Sequence, residues 1–206
     1  MELTYRDRFE KKIQRHVNKV FKQFKTDGNR MPPWGQVKKA LRGEMVKVLN
    51  QVRQDAFRSM LQVYGIKKKV EDKLPEDIDS KNPLSDERVD QMVDDLIDVS
   101  KRRWKKLGRK KDPAAVKAWW AQNFGRDRAK AIAITEVTFG HQDGEDTALK
   151  YLRAAGAKVK GIWRSLPTAC DVCRKMNGKP EKYWRRFYPA GPPSPHPACN
   201  CWIEHS

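Results

Sequence analysis

The sequence predicts an α+β fold in which a mainly helical chain ends in a small module that contains strands. Apolar residues recur at steps of three and four between residues 5 and 155, which is the spacing of one face of a helix. Residues 157–206 instead combine a short alternating apolar run with a loop rich in glycine and proline, and they contain all four cysteines. We therefore expect a helical body first and a small cysteine-containing module after it.

The composition describes a basic and polar chain. Its 206 residues carry a formal net charge of +18, with 34% charged and 38% hydrophobic residues. A charge of this size favours a polyanionic partner, and nucleic acid is expected rather than a membrane because no apolar run approaches the length of a membrane span. We find no signal peptide and no lipidation signal, so we expect folding in a reducing cytoplasm, where thiols bind metal more often than they pair.

Residues 1–65 predict a helical hairpin. Two apolar stripes are separated by a break at residues 26–29 and by the pair Pro32 and Pro33. The opposite faces are basic and supply candidate contacts to DNA phosphates: Lys11, Lys12, Arg15, Lys19, Lys38 and Lys39. A solvated helix face is an equally good interpretation, because no aromatic residues are interleaved with these charges.

Gly65 ends the hairpin, and residues 66–84 predict a linker that would let the hairpin take a position independent of the rest. The next helix begins at the N-cap Ser85 and ends in a dense positive run. That run supplies four more candidate DNA contacts: Arg102, Arg103, Lys105 and Lys106. A cationic last turn is also what the helix dipole alone favours.

Three further helices are predicted before the first strand. The first begins at Asp112, an N-cap residue followed by a proline at the first helical position. Gly125, Gly140 and Gly156 are expected to end the three helices in turn. Residues 158–164 alternate between apolar and charged, which predicts a strand that leads into the first cysteine.

The end of the chain joins a C-x-x-C pair to an H-x-x-C-x-C run. The candidate metal ligands are Cys170, Cys173, His196, Cys199 and Cys201. A C-x-x-C pair places two thiolates on one turn, and four of the five candidates complete the tetrahedral site that Zn²⁺ prefers. We therefore predict a zinc knuckle over about residues 157–206, and the choice between the last two cysteines stays open.

The number of candidate ligands bears on the chemistry. A catalytic zinc keeps one position for water, whereas five candidates fill all four positions with protein atoms, so the predicted site is structural and no catalytic residue is assigned. The alternative is two disulfides, because the cysteine count is even. His196 argues against disulfides, since metals use histidine and disulfides do not.

A fixed succession of motifs runs through residues 112–202. It begins with the helical run RAKAIAITE, which contains Arg128, Thr135 and Glu136, and continues through Gly156 and Trp163. It ends with the cysteine pair, two prolines and H-P-x-C-x-C. This succession resembles the phage Mu F-like minor head proteins. Asn200 departs from the pattern, since the family commonly has arginine there.

The resemblance implies a structural minor capsid protein that acts in head morphogenesis and in packaging or delivering the viral genome. It implies a portal protein as partner, with the major capsid or scaffold protein and non-specific DNA as further candidates, and no membrane in the assembled state. The location would be the virion, in the head interior or at the portal vertex, after assembly in the host cytoplasm. Residues 85–206 would form the head-protein domain.

Other functions stay open on the sequence. His141 and Asp143 followed by Pro167 and the cysteine pair echo a zinc deaminase, but that signature has glutamate two residues after the histidine and proline directly before the first cysteine. A zinc nuclease lacks a clear histidine pair. Glu136 as a catalytic residue lacks an obvious acid partner. A zinc module that binds nucleic acid is the third class, and tight, salt-sensitive DNA binding would indicate it.

Overall fold

The computed structural model describes residues 3–25, 31–65, 84–107, 112–192 and 196–206. Within these ranges, seven helices and two strands follow one another: α1 (Leu3–Gln23), α2 (Trp34–Val63), α3 (Leu84–Lys106), α4 (Pro113–Phe124), α5 (Arg126–Ala154), β1 (Gly161–Arg164), α6 (Asp171–Met176), α7 (Glu181–Trp184) and β2 (Trp202–His205). The predicted α+β class is confirmed, with a helical body and a small strand-containing end. The predicted linker lies outside the described residues, except for Leu84, the first residue of α3. No described helix has an apolar stretch long enough to span a membrane.

The central element is α5, against which α1, α2 and α4 pack. The apolar stripes of α1 and α2 face inward, so that Ile13, Val17, Leu41 and Met45 are fully buried. These side chains belong to the same hydrophobic cluster as Val93 of α3 and residues of α4 and α5. The hairpin therefore does not take the independent position that we predicted, because its apolar faces are covered by α3 and α5 in one shared core.

The prediction that Gly140 ends a helix is wrong, since α5 continues through it to Ala154. Gly140 lies against α2, where an added Cβ would come 3.4 Å from the Cδ2 of Leu49. At Gly144 a Cβ would lie only 2.3 Å from the carbonyl oxygen of Arg53. Glycine at these two positions lets the backbones of α2 and α5 approach closely. Glycine destabilises a helix interior, but a side chain at Gly144 would clash with α2, which would cost more.

The junction between α4 and α5 follows the sequence prediction. The Asp112 carboxylate accepts a hydrogen bond from the Ala115 N–H at 2.9 Å and caps α4, with Pro113 at its first position. Gly125 ends α4 and directly precedes α5. Trp119 is only 3% exposed, and its ring centroid lies 4.6 Å from that of Trp104 on α3. The short helix therefore closes one end of the core with an aromatic contact.

The C-terminal module has a core of its own. β1 and β2 pair antiparallel, with Gly161 opposite His205 and Arg164 opposite Trp202. Trp163 on β1 is fully buried, and its ring centroid lies 5.8 Å from that of Trp184 on α7. Three cysteines share this cluster with the two tryptophans. The thiols thus form part of the wall of a small apolar core.

Replacing Gly144 by alanine tests the close approach of α2 and α5. The added methyl group would meet the Arg53 carbonyl oxygen at 2.3 Å, so we expect the free energy of unfolding to fall by about 1–3 kcal/mol, as overpacking usually costs. Gly43→Ala is the matched control: it lies in α2 with nothing within 4 Å of the new Cβ. It should instead stabilise the protein by about 0.5–1 kcal/mol. Urea unfolding followed by circular dichroism measures both, and equal stability of the two variants would contradict the packing described.

Candidate metal centre

The structure brings the five predicted ligands together at the end of the module. Cys170 caps α6 and Cys173 lies within it, while the other three come from the segment before β2. The Nε2 atom of His196 lies 3.1 Å from the Sγ atoms of both Cys170 and Cys173. The Sγ atom of Cys173 lies 3.6 Å from that of Cys199. Two groups that could hold a metal ion result, and both contain Cys173: one with Cys170 and His196, the other with Cys199 and Cys201.

These distances fit a metal ion better than disulfides. The donor atoms around a tetrahedral zinc ion lie roughly 3.3–3.8 Å apart. A disulfide needs a sulfur separation of about 2.05 Å, and all four cysteines are free thiols. The Nδ1 atom of His196 donates a hydrogen bond to the Pro197 carbonyl oxygen at 2.8 Å, which leaves the lone pair of Nε2 facing the thiols. The cluster could therefore hold a metal ion through sulfur and imidazole atoms.

The thiols differ in their acidity. A hydrogen bond from Cys201 is the main cause that lowers the pKa of the Cys199 thiol to about 6, while burial raises the pKa of Cys173 to about 12. The thiolate is the form that binds a metal. Cys199 is thus the thiol of the cluster that most readily supplies a thiolate, and a bound cation would favour ionisation of its neighbours as well.

Two threonines of α5 hold the loop that carries the last ligands. The Thr135 hydroxyl accepts a hydrogen bond from the Ala198 N–H at 2.7 Å, and Ala198 has a positive φ of 58°. The Thr138 hydroxyl donates to the Cys199 carbonyl oxygen at 3.0 Å and accepts a hydrogen bond from the buried Arg6 of α1. The body of the protein thereby fixes the backbone on which the ligands stand.

The remaining motif residues lie in separate places. Glu136 is 1% exposed and accepts two hydrogen bonds from Arg88 of α3, both at 2.9 Å, rather than meeting the metal module. Burial raises the pKa of Glu136, although Arg88 opposes this. Trp163 fills the core of the module. Arg128 on α5 is partly buried, and its pKa is lowered by burial and by the neighbouring positive charge of Arg103.

A second polar cluster joins the module to α5. The Glu145 carboxylate lies between two imidazoles, 3.5 Å from the Nδ1 atom of His141 and 3.6 Å from the Nε2 atom of His205 on β2. Burial alone would raise the pKa of Glu145, but the two histidines outweigh it and lower it to about 2. His141 therefore pairs with a carboxylate on its own helix. A deaminase would require His141 to be a metal ligand, but among the described residues it belongs to neither group of candidate ligands.

The candidate DNA contacts fall into two classes. Lys12 lies 3.5 Å from Glu44 and Lys38 lies 2.8 Å from Asp94. Each of these lysines is therefore paired with a carboxylate of a neighbouring helix. The other candidates have no carboxylate within 4.0 Å in the part of the chain that is described: Lys11, Arg15, Lys19, Lys39, Arg102, Arg103, Lys105 and Lys106. The last four cluster at the end of α3, where they form a positive surface.

Sequence reasoning missed Arg6, Thr138 and Glu145. Thr138 follows Thr135 by three residues and so shares its helix face, which was the available signal. Arg6 and Thr138 are 132 positions apart, and no spacing rule connects them.

Comparison of the chain with models of protein families, with characterised proteins and with solved structures finds no match. The structure itself shows a mainly helical protein that ends in a module whose cysteines and histidine could hold a metal ion.

We expect the reduced, purified protein to contain one zinc ion per chain, measured by mass spectrometry of the metal content. Cys173→Ser should lose the metal, because Cys173 belongs to both groups of ligands. Treating the parent protein with a chelator should expose Trp163 and Trp184 in the core of the module and change their fluorescence, since a bound metal would contribute to folding of such a small unit. Serine variants of Cys199 and Cys201 identify the fourth ligand. If a variant keeps its metal, the cysteine that it replaces is not a ligand. A metal-free chain with two disulfides would contradict this prediction.

Proposed function

We propose that the chain is a structural minor capsid protein of a tailed phage that acts in head morphogenesis and in packaging or ejection of the genome. In this proposal a zinc ion closes the C-terminal module, which docks on the portal protein. The major capsid or scaffold protein is a further partner, and the protein resides in the head interior or at the portal vertex. It has no enzymatic activity.

The observation that carries the proposal is the contact between the helical motif and the ligand loop. The resemblance to Mu F-like proteins rests on an ordered set of motifs that are far apart in sequence. Thr135 from the first motif accepts a hydrogen bond from Ala198 in the last one, at 2.7 Å. A succession that meets in one structural unit supports a shared architecture better than separate short motifs do.

The chemistry of the cluster supports a structural role. A catalytic zinc needs an open position and a nearby acid or base. In the described part of the chain, the two metal-holding groups consist of cysteines and one histidine, with no carboxylate among them. The largely buried carboxylate of Glu145 is already paired with His141 and His205. Five candidate ligands can therefore close the coordination sphere without water.

The charge distribution supports contact with DNA along the path of the genome. A net charge of +18 in a filled head would sit among packed phosphates. The cations at the end of α3 are better placed for this role than those between α2 and α3, because the latter already face carboxylates. Arg42, for example, lies 3.2 Å from Asp90 and 3.3 Å from Asp86. Binding through such a surface would be non-specific.

Two triple variants separate these surfaces. Replacing Arg102, Lys105 and Lys106 by alanine should weaken duplex DNA binding equally for all sequences. It should also reduce the slope of log affinity against log salt, by about 0.9 for each phosphate that the protein no longer neutralises. Replacing Lys12, Lys38 and Arg42 removes the same charge from paired positions and should change affinity much less. Fluorescence anisotropy over a salt series measures both, and equal decreases in affinity or a strong preference for one duplex sequence would contradict this assignment.

The docking role is tested by co-expression with a candidate portal protein from the same genome. The intact chain should co-purify with the portal, and Cys173→Ser should not, because it removes the ligand common to both metal groups. Absence of a complex with the intact, metal-loaded chain would reject the proposal. Deaminase or nuclease turnover that disappears when His141 or His196 is replaced would reject it in favour of an enzyme.

A further inference from the structure

The turn that contains α7 exposes two aromatic rings. Tyr183 is 40% exposed and Phe187 is 57% exposed, and both project from the surface of the metal module. Their ring centroids lie 5.6 Å apart with an angle of 49° between the planes. Adjacent exposed rings of this kind are uncommon on a polar protein and indicate a surface that receives a partner.

The same turn carries an excess of positive charge. Four exposed cations lie close in sequence to the rings and have no carboxylate within 4.0 Å in the described residues: Lys175, Lys179, Lys182 and Arg186. Glu181 is the one acidic residue between positions 172 and 203. Its carboxylate accepts hydrogen bonds from Arg153 at 2.5 Å and from Arg185 at 2.6 Å, so its charge is already neutralised. The Nζ atom of Lys179 lies 5.1 Å from the centre of the Tyr183 ring.

The residues between the exposed rings hold the turn in place. Trp184 is 1% exposed and packs against Trp163 in the core of the module. Arg185 donates hydrogen bonds to Glu181, to Asp146 of α5 at 3.0 Å and to the Pro189 carbonyl oxygen at 2.6 Å. The backbone that carries the two rings is thus anchored on both sides, and little conformational entropy is lost when a ligand stacks on them.

We propose that this surface binds single-stranded nucleic acid, with bases stacked on Tyr183 and Phe187 and phosphates held by Lys179, Lys182 and Arg186. A duplex buries the faces of its bases, so it would use the cations and leave the rings exposed. An unpaired strand offers both a negative backbone and flat apolar faces, which matches the two features of this turn. The inference goes beyond the proposed role in the head, because it concerns a different form of nucleic acid and a different surface from the end of α3.

The test uses the metal-loaded full-length protein and a fluorescent oligothymidylate of roughly 12 nucleotides, a length in the range of known single-strand sites. Tyr183→Ala combined with Phe187→Ala should lower affinity for this oligonucleotide by at least about 5-fold for each ring, as removal of base stacking usually does. The same variant should bind a duplex as tightly as the parent does. Tyr151→Ala is the matched control, since Tyr151 is 44% exposed and belongs to α5 rather than to this turn.

The inference is overturned if the double variant binds the oligothymidylate as well as the parent does. If that variant also no longer co-purifies with the portal protein, the turn is a docking surface for protein. Equal zinc content and equal circular dichroism of variant and parent exclude a folding defect as the cause of a weaker signal. Failure of the portal complex with the parent chain leaves this test unaffected, because the oligonucleotide assay contains no other protein.

Discussion

Two hydrogen bonds join α5 to the loop at residues 196–201: the Thr135 hydroxyl accepts one from the Ala198 N–H, and the Thr138 hydroxyl donates one to the Cys199 carbonyl oxygen. Through them α5, whose apolar residues help to fill the core of the helical body, also fixes the backbone beside the candidate metal ligands. Arg6 extends the connection to α1 by its bond to Thr138. Glu145 adds a second link, because it faces His205 of β2. The small module is therefore held by contacts with α5 as well as by its own core.

Close packing of α5 explains why so much of it is buried. Gly140 and Gly144 let the backbone of α2 approach, and the carboxylates of Glu136 and Asp143 pair with Arg88 and Arg53 from the helices on that side. Each of these ion pairs has one largely buried partner, and desolvation of that partner offsets much of the attraction between the charges.

The sequence predicts those features of the fold that depend on local chemistry. Apolar stripes locate the helices, Asp112 with Pro113 marks the start of α4, and the cysteine spacing locates the candidate metal centre. It fails where a residue acts through a distant partner. Glycine is typical of a helix end, but Gly140 lies within α5 and packs against α2. Glu136 pairs with Arg88, which lies 48 positions away. Net charge alone does not predict which cations are available to bind DNA. Lys38, for example, is already paired with Asp94 in the structure.

The cysteines and His196 could close the coordination sphere of a structural metal ion, which would leave no position for water. X-ray absorption spectroscopy at the zinc edge of the reduced, purified protein tests it most directly. We predict four protein ligands, with sulfur atoms at about 2.3 Å, one imidazole nitrogen at about 2.0 Å and no oxygen ligand. A water or hydroxide oxygen in the coordination sphere would contradict the account, because an open position is the property of a catalytic zinc.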